Sequence, residues 1–276
     1  MQHVPLLTTL ERVRAQRRMG ADATGDDELL KTLIAAASAE FARETGRVCV
    51  PYYTVRHYDM PLRSPYALDL DEDLLELAAL TNGDGTSIPI EAVALRPFNA
   101  YPKWRITLRS SAGITFTYAD DPQGAISVAG WWGYTPHYDT AWRASGFSVP
   151  GDGLTSGTIQ VTLGATGVFE IGHYLRIDDE VLRVTGRDAT TITLARGQLG
   201  TTAASHSAGA AIHMFDVLPD IQNAVTEMVA YAYKSLDRVG GRVTVYPGTT
   251  VLVDDLDPLV RRALEDHRRK TLVVIR

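Results

Sequence analysis

Cysteine is almost missing from this chain: Cys49 is the single one in 276 residues. A disulfide framework within the chain is therefore excluded, and a reducing compartment fits. Cys49 lies in Val48-Cys49-Val50, a strand-like context, and reads as a small buried apolar residue rather than a nucleophile. No apolar run reaches the roughly 18 residues that a membrane helix needs. Residues 1–10 lack the basic, apolar and small-residue regions of a secretory signal. Together these absences predict a soluble chain, made and used without export by that route. Catalytic signatures are missing too. There is no G-x-S-x-G elbow, no H-E-x-x-H helix, no kinase set, no P-loop and no G-x-G-x-x-G. No enzymatic activity, cofactor or metal is expected.

What the chain does have is an uneven charge. The formal net charge is −6. Residues 1–20 carry Arg12, Arg14, Arg17 and Arg18 against Glu11, and residues 257–276 carry six basic side chains against three acidic ones, so each end is +3 and the remainder −12. Basic ends on an acidic body are either solvated faces or ends that dock on acidic surfaces.

The organising stretch is 126–134, Ile-Ser-Val-Ala-Gly-Trp-Trp-Gly-Tyr. It starts as a strand, with Ile126 and Val128 on one face, and closes in a glycine-aromatic cluster. Exposed, Trp131, Trp132 and Tyr134 would stack a sugar or anchor a subunit or partner; buried, they would close one end of a sheet. Before this stretch, residues 1–25 form either an arm or a short helix around 10–19. Asp26-Asp27-Glu28 opens a helix whose stripe is Leu29, Leu30, Leu33, Ile34, Ala37 and Phe41, with Gly46 as its C-cap. Strand patterns follow at 47–60, 88–95, 104–108 and 114–118, with a turn at Asn82-Gly83-Asp84-Gly85. Asp69, Asp71 and Asp73 begin like an EF-hand loop, but Leu74 and Leu80 stand where its glycine and glutamate belong, which argues against calcium.

Residues 135–157 have a linker composition rich in Gly, Ser and Pro. Short alternating segments then follow from Ile159 to Met214, the pattern of a small barrel or sandwich. Within them, Asp178, Asp179 and Glu180 read as a solvated hairpin tip, and His206 as a hydrogen-bonded histidine of a structural loop. A second long helix starts at Pro219, with Ile221, Ala224, Val225, Met228, Val229, Ala232 and Leu236 on one face. Gly240-Gly241 ends it, and a hairpin over 243–253 is expected. A last helix starts at Asp257-Pro258, with Asp as N-cap and Pro at N1, ahead of an apolar tail at Leu272-Val273-Val274-Ile275. The expected class is α+β: a helical body with a sheet, plus an inserted β module. The expected partition is an arm at 1–25, a body at 26–134 and 216–276, a linker at 135–157 and an inserted module at 158–215.

The order of these parts resembles the head–tail connector (adaptor, or head-completion) proteins of long-tailed bacteriophages. The resemblance is carried by the helix running into Thr45-Gly46-Arg47 and by Leu68-Asp69-Leu70-Asp71-Glu72-Asp73-Leu74 with the turn after it. It continues through Arg96-Pro97-Phe98-Asn99-Ala100-Tyr101-Pro102, the 126–134 stretch and the helix from Pro219. The inserted β module departs from the short form of that family. The resemblance implies a non-catalytic virion protein at the neck, assembled in the host cytoplasm. Such a protein would form a homo-oligomeric ring, usually of twelve subunits. The ring would dock under the portal protein, extend the DNA channel without sequence-specific binding, and carry the next neck or tail protein (a stopper or tail terminator). No membrane partner is implied. Carried onto this sequence, the portal-docking segment is 257–276: Leu259, Val260, Arg261, Leu264, His267, Arg268, Arg269, Lys270, Leu272, Val273 and Ile275. Trp131, Trp132 and Tyr134 are the candidate subunit or partner contacts. The other reading is a carbohydrate- or host-surface-binding virion protein that uses the β insertion, with Trp131, Trp132 or Tyr174 as platforms.

Overall fold

A computed structural model describes residues 5–19, 24–238 and 257–269. In chain order the elements are α1 (Leu10–Gln16), α2 (Asp27–Thr45), β1 (Tyr52–Tyr58), β2 (Ala67–Thr81), β3 (Ser87–Ile88), β4 (Val93–Arg96), β5 (Lys103–Leu108), β6 (Ile126–Trp132), α3 (Tyr138–Ala141), β7 (Trp142–Ser148), β8 (Gln160–Thr162), β9 (Tyr174–Ile177), β10 (Glu180–Arg187), β11 (Thr191–Ala195), β12 (Ala211–Phe215), α4 (Pro219–Arg238) and α5 (Pro258–His267). The class is α+β, as the sequence pattern predicts. The chain divides into two compact units, one of residues 1–48, 141–198 and 202–276, the other of 49–140 and 199–201.

The first unit holds four of the helices and a six-stranded antiparallel sheet of order β7-β12-β9-β10-β11-β8. The apolar stripes of α2 and α4 meet each other, and α1 and α5 pack against both. Leu30, Leu33, Ile34, Ala37 and Phe41 of α2 are buried, as are Ile221, Ala224, Val225, Met228 and Val229 of α4. Each fully buried aliphatic or Phe side chain contributes roughly 1.5–3 kcal/mol, so these stripes are the main source of helix stability. Gly46 ends α2 in the left-handed conformation, as a C-cap should. Asp26 does not cap α2 with its side chain; its carboxylate accepts the Tyr233 hydroxyl of α4 instead.

Residues 5–19 are not a free arm. Leu7, Leu10 and Val13 are buried, Ser38 Oγ accepts the Leu7 N–H at 3.0 Å, and the Thr8 and Thr226 hydroxyls bond at 2.7 Å. Glu11 of α1 accepts the Ile171 N–H at 2.8 Å and Arg187 Nε at 2.9 Å, which fixes the helix to the sheet. The sheet has its own core of Val161, Phe169, Leu175, Leu182, Ile192 and Met214, among others.

The second unit is a six-stranded antiparallel sheet of order β1-β6-β2-β5-β4, with β3 on β2. Leu74, Leu80, Ile106, Phe116, Ile126, Val128 and Trp132 form its core. Gly130 of β6 is glycine for a steric reason. A Cβ there would meet the Glu76 carbonyl oxygen of β2 at 2.2 Å, so only a residue without a side chain lets the strands approach.

Several expectations need correction. The expected body of 26–134 and 216–276 does not form one unit: the helices share theirs with the second sheet, and the first sheet stands in the other. The 135–157 stretch is no linker, since it contains α3 and the edge strand β7. Residues 114–118 make no strand beyond a single bridge from Tyr118 to Gly83, although Phe116 is buried. The 88–95 strand is broken by a 3-10 turn at Ile90–Ala92 that follows Pro89, which has no N–H to give a ladder. The expected 243–253 hairpin and the 272–275 tail lie outside the described residues.

Candidate functional site

The docking segment expected from the sequence is represented by α5. Asp257 caps it, accepting the Leu259 N–H at 2.8 Å, and Pro258 fills the first turn. Its apolar side, Val260, Ala263 and Leu264, is buried. His267, also buried, bonds through Nε2 to Asp220 Oδ2 at the start of α4, at 2.7 Å. Burial alone would raise the Asp220 carboxyl; the bond from His267 and the Ile221 N–H outweigh it and hold its pKa below the usual value. This anchoring corrects part of the expected docking set: Val260, Leu264 and His267 face the helices of their own unit and are not a free surface. The outward residues are Leu259, 72% exposed, with Arg261, Arg262, Glu265, Asp266 and Arg268; Arg262 pairs with Asp266 and Arg268 with Glu44. Beside them a groove of about 880 Å³ runs between α1, α4 and α5, with Arg12, Gln16, Glu227, Leu259 and Arg262 among its walls. Arg269 donates its backbone N–H to the Thr45 carbonyl at 2.7 Å, closing the end of α2. Lys270, Leu272, Val273 and Ile275 lie outside the described residues.

The aromatic cluster resolves toward its buried alternative. Trp132 is fully buried, donates from Nε1 to the Thr54 carbonyl at 3.1 Å, and stacks on Tyr58. Trp131 is 6% exposed and meets the edge of Tyr53. Neither offers a face to a sugar or a partner; only Tyr134 is half-exposed. Tyr174 is no platform either: it is buried, with its hydroxyl accepting the Leu6 N–H at 3.1 Å.

A buried group of ionisable side chains lies at the β9–β10 turn, where the sequence pattern predicts a solvated tip. Glu180 is no solvated tip residue but 1% exposed. Arg196 Nε donates to its Oε1 at 2.8 Å and Nη2 to its Oε2 at 2.7 Å, a bidentate pair. The Gly197 N–H at 2.8 Å and the Ala204 N–H at 2.9 Å donate to the same carboxylate. Arg196 gives its remaining donors to the carbonyls of Thr155, Thr158 and Ala204 at 2.6–2.8 Å, so all five are used. His206 bridges Glu180 Oε2 at 2.9 Å and Asp178 Oδ2 at 2.8 Å. His206 is hydrogen-bonded in a structural loop, as the sequence suggested. Desolvation raises the Glu180 carboxyl, but bonds from Arg196, Ala204, Gly197 and His206 outweigh it and lower its pKa to about 2.

Period-two alternation carried the missed signal. Glu180 shares a face of β10 with the buried Leu182 and Val184, so it points where they point. With its lone pairs occupied on both oxygens, Glu180 is not placed to take a proton from a substrate. The cluster clamps the segment from Arg196 to His206 to the sheet. Among the described residues no group of three or more His, Cys, Asp or Glu side chains is arranged to hold a metal ion. Nor is any described helix long and apolar enough to cross a membrane.

No family model matches the chain, and no curated protein matches it. Among solved structures, a chain of the "neck of empty GTA particle computed with C6 symmetry" superposes with a TM-score of 0.42 at 14% identity, over 97% of this chain and 92% of that one. A TM-score of 0.42 is too low to establish a shared fold.

Proposed function

We propose that this chain is a structural neck protein of a tailed phage or phage-like particle: a head–tail adaptor that forms a ring under the portal and carries the next neck or tail protein. In this reading it has no catalytic role, it assembles in the host cytoplasm, and its ring has the twelve subunits usual among the adaptors it resembles. The observation that carries the proposal is the two-sidedness of α5. The helix is anchored by Val260, Ala263, Leu264 and the His267–Asp220 bond, while Leu259, Arg261, Arg262, Glu265, Asp266 and Arg268 are left outward. An anchored helix with a charged, partly apolar outer face is suited to docking on a larger assembly. The segments that carry the sequence resemblance fall on α2, β2 with its turn, the loop between β4 and β5, β6 and α4.

The acidic balance of the chain, −6 overall, suits a wall past which DNA slides, because every phosphate a protein neutralises adds affinity and drag. A channel lining made mostly of Arg and Lys would contradict that part. Burial of Trp131, Trp132 and Tyr174 removes the platforms on which the carbohydrate-binding reading depended. The test is particle mass with and without the portal protein of the same genome. A ring that forms on the portal, and docking that is lost on deletion of 257–276, would support the adaptor role. A monomer in both conditions would rule it out.

A further inference from the structure

In the second unit, β5 is followed outward by the edge strand β4, and the 97–102 loop joins them. Lys103 fixes this loop. The residue is 6% exposed, and its ammonium donates to the carbonyls of Pro97 at 2.9 Å, Phe98 at 3.2 Å and Ala100 at 2.8 Å. All three ammonium hydrogens have acceptors, so the loop is held in one shape without a partner. Phe98 is displayed on it, 55% exposed, and Trp104 stands beside it, 45% exposed. They border a preformed concavity of about 720 Å³.

A row of charges crosses the same region. Arg96 of β4 is directly opposite Arg105 of β5, and Arg105 is directly opposite Asp69 of β2. Asp69 pairs with Arg105. Arg96 has no carboxylate partner among the described residues. Two like charges facing each other across a ladder are unfavourable, and one carboxylate neutralises only one of them. Arg96 lies over the Phe98 ring at 3.6 Å and Arg105 over Trp104 at 5.0 Å. Stacking uses the face of a guanidinium and leaves its in-plane N–H edge for bidentate bonding.

We infer that this concavity is a binding site for a carboxylate borne next to an apolar side chain, as on an acidic segment of a protein partner. The carboxylate would bond to the edge of Arg96, completing the row that Asp69 begins, and the apolar group would lie against Phe98 and Trp104. A nucleic-acid strand fits less well, because residues 49–140 carry eleven carboxylates against six basic side chains. A single carboxylate is attracted by the local guanidinium, whereas a phosphate chain extends into the surrounding negative field. This inference does not depend on the adaptor role.

The experiment is an NMR titration of the full chain, reading the Trp104 indole N–H and the Arg96 Nε–H. The probes are a terminally blocked Phe–Asp dipeptide, its Phe–Asn counterpart and an oligothymidylate. The expected result is a saturable shift of both signals with the Phe–Asp probe at millimolar concentration. Binding of the Phe–Asn probe should be about tenfold weaker, the loss of one charge-assisted bond. Arg96→Gln, at an exposed position, should abolish the Phe–Asp shifts while leaving the remainder of the spectrum in place. The inference is overturned by no saturable shift at these two signals, by equal binding of Phe–Asn, or by preferential binding of the oligothymidylate there.

Discussion

Glu180 and Arg196 form a two-point ion pair at 2.8 and 2.7 Å in which neither side chain has more than 6% exposure. A buried pair is often replaceable as a unit by apolar residues, but removing one member leaves an uncompensated charge. Here replacement as a unit would also fail, because Arg196 serves three carbonyls and Glu180 two N–H groups that the pair alone does not account for. Glu180→Gln is expected to cost about 3–5 kcal/mol of unfolding free energy, measured by urea denaturation at neutral pH. A loss under about 1 kcal/mol would mean that the clamp contributes little.

The same carboxylate sets a pH dependence whose sign is fixed. Its folded pKa, about 2, lies below the ordinary 4.5, so its contribution is present above about 4.5 and is lost as pH falls toward 2. The difference corresponds to on the order of 3 kcal/mol. Asp220, lowered against its own burial by His267, acts in the same direction. The gap in stability between the wild type and Glu180→Gln should therefore shrink as pH is lowered through this window, measured by urea midpoints at stepped pH. A constant gap would contradict the assignment.

How far the sequence disclosed this molecule depended on whether a signal was local. The helices α2 and α4 were legible because one side of each is apolar at helical spacing and buries against the other. The capped start of α5 was legible from Asp257-Pro258. The partition was not, since periodicity tells which face of an element is buried and not which element covers it. Glu180 was misread because Asp178 and Asp179 beside it do belong to a turn; its role needs Arg196 and the Ala204 N–H, 16 and 24 residues away. The two tryptophans at 131 and 132 leave an exposed and a buried reading open in sequence, and both are buried, Trp132 in the core of its sheet. Like-charged Arg96 and Arg105 become opposite only through the β4–β5 register.

Lys103 gives a prediction about order rather than charge. Burial lowers its pKa from the ordinary lysine value, with Asp139 opposing the shift. The ammonium is retained there because three carbonyls surround it. Lys103→Met keeps the apolar stem and deletes the donors, and should cost roughly 2 kcal/mol. It should also speed amide hydrogen exchange across 97–102 while leaving Trp132 and the rest of the core protected. Unchanged exchange in the loop would show that it is held by other contacts.

The two faces of α5 can be separated by mutation. Leu264→Ala removes a buried side chain and is expected to cost about 2–5 kcal/mol. Leu259→Asp acts at a site 72% exposed, so stability should change by no more than about 0.5 kcal/mol. If the outward face of α5 docks on the portal, Leu259→Asp and Arg261→Glu should nonetheless abolish co-sedimentation with it, since each reverses the apolar or cationic character of its own site in the contact. The reverse pattern is equally clear in meaning. Normal docking by both outward variants would place the portal contact elsewhere on the chain, with α5 left as a structural helix that completes the packing of α2 and α4.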